Sequence, residues 1–122
     1  VHALSYPLGG KYHIAHGVSN AILLAPVMRF NEPACRERLA AAYDRCIRGG
    51  ETTVEGKSAA VIARLEEIVK HLDIPTSLTE FGVPKGDLEA LVASGMEVTR
   101  LLVNNMREVT PDDARRIYQE VL

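Results

Sequence analysis

Long apolar runs are missing from this chain. The longest, Ala21 to Met28, falls far short of the roughly 20 residues that a bilayer-spanning helix needs. No secretory signal pattern is visible either, so no membrane partner is expected. A surplus of one charge is also missing. The 14 Lys and Arg residues against 16 Asp and Glu leave a formal net charge of -2. The basic residues are scattered rather than clustered, which leaves no electrostatic footprint for nucleic acid. Cysteine is scarce: Cys35 and Cys46 alone. Eleven helical steps between them span roughly 16 Å, beyond disulfide reach. They read as two reduced core thiols in a cytoplasmic protein. Alternating strand patterns, internal repeats and low-complexity segments are absent as well.

What is present fits one all-α domain. The 122 residues can build a single modest core. The 47% hydrophobic and 25% charged content is that of a soluble globular protein. The chain opens on valine with a helical pattern already under way, which suggests a piece of a longer protein. Val1 to Leu8 read as the end of a helix stopped by Gly9-Gly10. A loop, Lys11 to Ala15, leads to a second helix from about His16 to Phe30, apolar around most of its circumference and so interior. Pro26 is expected to kink it, since proline lacks the amide its turn requires.

Asn31-Glu32-Pro33 reads as a break, with Pro33 starting a helix that ends at Gly49-Gly50. A clear amphipathic helix carries Val61, Leu65, Ile68, Val69 and Leu72 along one stripe, closed by Pro75. A shorter helix, entered near Pro84, carries Leu88, Leu91 and Val92. The best start signal is Thr110-Pro111-Asp112-Asp113: a threonine cap, a proline at the first helical position and acidic groups at the positive helix end. Ala114, Ile117, Tyr118 and Val121 then form the buried stripe.

Imidazole is a common ligand for divalent transition metals, so His2 and His16 can each contribute a bond to one ion. Their spacing of fourteen is no local signature, and two donors fall short of a stable site, which takes three or four. The other histidines read more plainly. His13 is an exposed loop residue close enough to His16 for indirect contact, and His71 lies near the negative end of its helix. Asn20, one turn after His16, can serve equally as a structural or an active-site group.

The wider context adds to this. His2-Ala3-Leu4-Ser5-Tyr6-Pro7-Leu8-Gly9-Gly10, followed by His16-Gly17-Val18-Ser19-Asn20-Ala21, resembles the signature of iron-containing (group III) alcohol dehydrogenases. Asp73 to Leu78, Phe81-Gly82-Val83 and the tail Asn105-Met106-Arg107-Glu108-Val109-Thr110 resemble later parts of the same family. The resemblance implies that residues 1–122 are the C-terminal helical metal-binding domain of the dehydroquinate synthase-like fold. It places His2 and His16 at two metal-ligand positions. The family's remaining ligands, an aspartate and a histidine four residues later, have no counterpart here, nor does its glycine-rich dinucleotide turn. The implied cofactors are Fe(II), or zinc, together with NAD or NADP bound mainly by the missing N-terminal part.

Interconversion of small alcohols with aldehydes or ketones by hydride transfer is the activity this implies, in a homo-oligomer and with the fragment alone inactive. A maleylacetate reductase-like or glycerol dehydrogenase-like relative, or a non-enzymatic helical interaction module, stays open. Tyr6 stands where many relatives carry a histidine, and is the candidate catalytic group. Its phenol, with a free pKa of about 10, is a poor proton acceptor at neutral pH. Ala15 and Met106 replace family prolines.

Overall fold

A computed structural model describes every residue from Val1 to Leu122, and it contains helices and no strands. The elements run α1 His2–Tyr12, α2 His16–Cys46, α3 Val54–His71, two short 3-10 turns at Leu78–Phe81 and Lys85–Asp87, α4 Leu88–Met96, α5 Thr99–Leu102 and α6 Pro111–Val121. No helix is long and apolar enough to cross a membrane.

The main core is shared by α1, the first half of α2, α4 and α6. Leu4, Leu8, Leu23, Leu91, Ile117 and Tyr118 lie at its heart. Each such large side chain removed from water contributes about 1.5–3 kcal/mol before entropy is subtracted. Tyr118 is fully buried, and its hydroxyl donates to the Leu4 carbonyl at 2.6 Å. Burial holds that phenol well above its ordinary pKa, so it remains a donor. Gly95 lets α4 approach this tie: a Cβ there would come within 2.9 Å of Leu4 Cδ2 and 3.1 Å of the Tyr118 hydroxyl. A second, smaller core (Cys35, Leu39 and Ile62) zips the far half of α2 onto α3.

The start of α6 is as expected. Thr110 Oγ1 accepts from the Asp113 amide, and the Asp113 carboxylate accepts from the Thr110 amide at 3.0 Å. The result is a capping box that satisfies two of the donors a helix start leaves free. Ala114, Ile117, Tyr118 and Val121 are all buried.

Other boundaries differ from expectation. Gly9-Gly10 does not stop α1, which continues to Tyr12 and ends with His13 in the left-handed region, φ 56°. The stop is set by packing: buried Ile14 turns inward and its amide reaches the Leu8 carbonyl at 3.3 Å. The break expected at Asn31-Glu32-Pro33 is found as a kink two residues later. The helix passes through Pro26 and Pro33 and leaves helical geometry only at Cys35, φ −132° and ψ 21°. Around this kink the Cys35 thiol donates to the Asn31 carbonyl at 3.3 Å, and Arg107 donates to the Phe30 carbonyl at 2.8 Å. Donors from outside the helical ladder therefore serve carbonyls next to the kink, which is what allows the helix to bend rather than end. The same helix stops at Cys46, short of Gly49-Gly50.

On α3 the buried face is Ser58, Ile62 and Val69, whereas Ile68 and Leu72 are exposed. The helix begins earlier than the apolar pattern suggests, capped by Thr53, and α2 covers only one side of it. Cys46 is exposed and only Cys35 is a core thiol.

Candidate metal centre

The geometry of α1 puts His2 and Tyr6, four residues apart, on one outward face while Leu4 and Leu8 point into the core. After the turn at His13, α2 starts at His16. The chain reversal brings the first residue of α2 back beside the first turn of α1. The His2 and His16 rings lie 5.2 Å apart between centroids, tilted by 59°. The Tyr6 ring follows at 6.2 Å from His16. All three side chains are exposed on one side of the molecule. Buried serines tighten both first turns. Ser5 donates to the His2 carbonyl at 2.9 Å, and Ser19 to the His16 carbonyl at 3.0 Å.

Two imidazoles on one tetrahedral ion, each at about 2.1 Å, hold their centroids roughly 5 Å apart. The separation found here meets that requirement. No third His, Cys, Asp or Glu joins them, so the chain offers a donor pair that fits half of a site. Asn20 lies against this pair, its side-chain nitrogen 3.1 Å from His16 Nε2. Its amide oxygen is buried without a partner. Asn20, which the sequence left between two roles, thus touches the imidazole rather than the backbone.

His13 is exposed and serves as the turn residue after α1. His71 is the exposed last residue of α3, far from the pair in sequence and outside its contacts. One neighbour was not legible in the sequence. Arg100, on α5, rests with its guanidinium carbon 5.8 Å from the centre of the Tyr6 ring. The α2 N-terminus opens at His16 with no side-chain cap on Ala15, so its positive end adds to the field of Arg100.

The fold is thus an all-helical domain that brings two imidazoles, from two helices, together on one face. Over residues 1–122 the sequence matches the model of the Fe-containing alcohol dehydrogenase family, C-terminal part, and the chain belongs to that family. It is 38% identical to long-chain-alcohol dehydrogenase 1 of Geobacillus thermodenitrificans, covering 98% of this chain and 30% of that protein. It is 33% identical to lactaldehyde reductase of Escherichia coli, covering 97% of this chain and 31% of the relative. Among solved structures, a 1,3-propanediol oxidoreductase superposes with a TM-score of 0.91 at 24% identity, over 99% of this chain and 32% of that one. The chain thus spans about 30% of the length of the curated relatives it matches.

Proposed function

We propose that residues 1–122 form the metal-binding helical domain of an oxidoreductase that interconverts alcohols with aldehydes or ketones, using a nicotinamide dinucleotide held mainly by another part of the protein. The observation that carries this reading is the 5.2 Å approach of the His2 and His16 rings in a chain of this family. Both relatives named above are alcohol or aldehyde oxidoreductases by name. A divalent cation, Fe(II) or zinc, would supply Lewis acidity that stabilises negative charge on the substrate oxygen.

The chain's own residues supply the rest. His2 and His16 would hold the cation through neutral ring nitrogens. Asn20 holds the His16 ring in place. Tyr6 places a hydroxyl, which can donate or accept a hydrogen bond, on the same face. Beside His2 opens a cavity of about 240 Å³ lined by Val27, Phe30, Leu101 and Leu102 together with Asn104 and Asn105, which would receive the carbon chain of a substrate.

The test is His2→Ala and His16→Ala in the full-length subunit, with metal content measured by elemental analysis alongside alcohol oxidation. Loss of one protein ligand is expected to lower metal occupancy and turnover together, by tenfold or more. Full metal content and undiminished turnover in both variants would refute the assignment.

A further inference from the structure

We infer that the cavity beside His2 selects an alcohol with an unbranched, uncharged hydrocarbon tail, and that Leu101 and Leu102 are the residues that set the length of that tail; this rests on the oxidoreductase reading above. The cavity meets the imidazole pair directly. His2 forms part of its wall, and the His2 ring lies 5.2 Å from that of His16. The opposite wall is α5, which is held to the same face where Arg100 rests 5.8 Å from the centre of the Tyr6 ring. Leu101 and Leu102 follow in the same turn and line the cavity, with buried Val27 and Ile117 also in its walls.

Charge separates this cavity from the rest of the molecule. Apart from His2, no side chain in its walls can carry a charge. Four other cavities, all bordered by α2, each have arginine and glutamate among their walls. Its two asparagines are already committed. Asn104 donates to the Arg100 carbonyl at 3.1 Å, while Asn105 pairs with Asn31 and donates to the Arg107 carbonyl at 2.7 Å. An ionic or polyhydroxylated tail would give up its water there for few new partners, whereas a hydrocarbon tail gives up nothing.

Size sets the length. An apolar cavity of about 150 Å³ takes up the six carbons of benzene. This one measures about 240 Å³, which on the same scale suits a tail of roughly nine carbons. Leu101 and Leu102 are half-buried, so a change in their size alters the cavity more than the deep core behind it.

The experiment uses the full-length subunit and unbranched primary alcohols from ethanol to 1-dodecanol, with glycerol as the polar comparison. In the parent, kcat/KM should rise about fourfold with each added methylene, and level off near nine carbons. Glycerol should be at least a hundredfold poorer than 1-octanol. Leu101→Trp and Leu102→Trp fill the cavity, and each should lower the ratio of kcat/KM for 1-octanol to that for 1-butanol tenfold or more, the worth of about two methylenes. Leu101→Ala widens the cavity and should move the plateau to longer chains, a shift that loss of folding cannot produce. In parallel, calorimetry measures the binding of 1-octanol without nucleotide. Binding should carry a negative heat-capacity change and weaken tenfold or more in both Trp variants.

A parent whose kcat/KM is flat from 1-butanol to 1-octanol, or favours glycerol, overturns the inference and leaves the oxidoreductase reading intact. An unchanged ratio in both Trp variants overturns it as well. If no alcohol is oxidised, the oxidoreductase reading fails, and calorimetry then decides what the cavity takes. Binding of 1-octanol that the Trp variants weaken supports the apolar site, and binding that is unchanged in them or absent from the parent overturns it.

Discussion

Removing the Asn105 side chain should cost far more than an exposed loop asparagine normally would. Asn31 is 4% exposed, and its amide has one partner, Asn105, which it meets twice: it donates at 2.8 Å and accepts at 2.7 Å. Asn105→Ala strands a buried donor and a buried acceptor together. Each stranded group costs about 1–3 kcal/mol when water cannot reach it. Because Asn105 is only half-buried, water enters part of the gap, and a total of about 2–3 kcal/mol follows. Asn31→Ala leaves its partner at the wetter position, where water can replace the lost bonds, and should cost about 1 kcal/mol. In the double variant nothing is stranded, so its cost should fall short of the sum of the singles by about 1–2 kcal/mol.

Urea unfolding of the chain, followed by far-ultraviolet circular dichroism, reads this directly. With a slope of about 2 kcal/mol per molar, Asn105→Ala should lower the midpoint by about 1–1.5 M. Costs that simply add, or a shift for Asn105→Ala no greater than for Asn31→Ala, would show that the reciprocal amide pair does not fasten the tail to the kink of α2.

The start of α6 gives a pH signature. The Thr110 backbone amide, and then its hydroxyl, hold the Asp113 carboxyl below its ordinary range. A carboxyl whose folded pKa is depressed stabilises fully above its unfolded value, about 3.9, and loses that contribution as pH falls through the folded value. Asp113→Asn should therefore destabilise at pH 7 and converge with the parent in acid unfolding below about pH 3; a gap that persisted to pH 2 would contradict the box. Thiol titration of the native chain should find one fast cysteine. Cys46 is exposed, whereas Cys35 is buried and burial pushes its thiol pKa up. Two equally fast thiols would mean that the packing around the α2 kink is open.

Much of this protein was legible as sequence because its signals are local. Thr110-Pro111-Asp112-Asp113 marks the start of α6 by chemistry completed within one turn, and the 3.6-residue period placed its four buried side chains correctly. The absence of alternating patterns pointed to an all-helical domain. The resemblance carried by His2 to Ala21 pointed to the family that the whole chain matches. The same residues named the imidazole pair that the fold brings to 5.2 Å.

Only tertiary structure decided the rest. Gly9-Gly10 carries a strong local stop signal yet lies inside α1, and the break signalled by Asn31-Glu32-Pro33 takes the form of a kink at Cys35. Buried Ile14 fixes the end of α1, and Arg107, distant in sequence, donates to a carbonyl at the bend of α2. On α3 the apolar stripe was visible, but which part of it is covered depends on where α2 runs beside it. Cys46 looked like a core thiol for the same reason. Asn20 beside His16 and Arg100 over Tyr6 depend on the chain folding back on itself, which no spacing records. Periodicity and caps report what a residue does within its own helix. The identity of its neighbour across a helix interface is set by the packing of the whole chain.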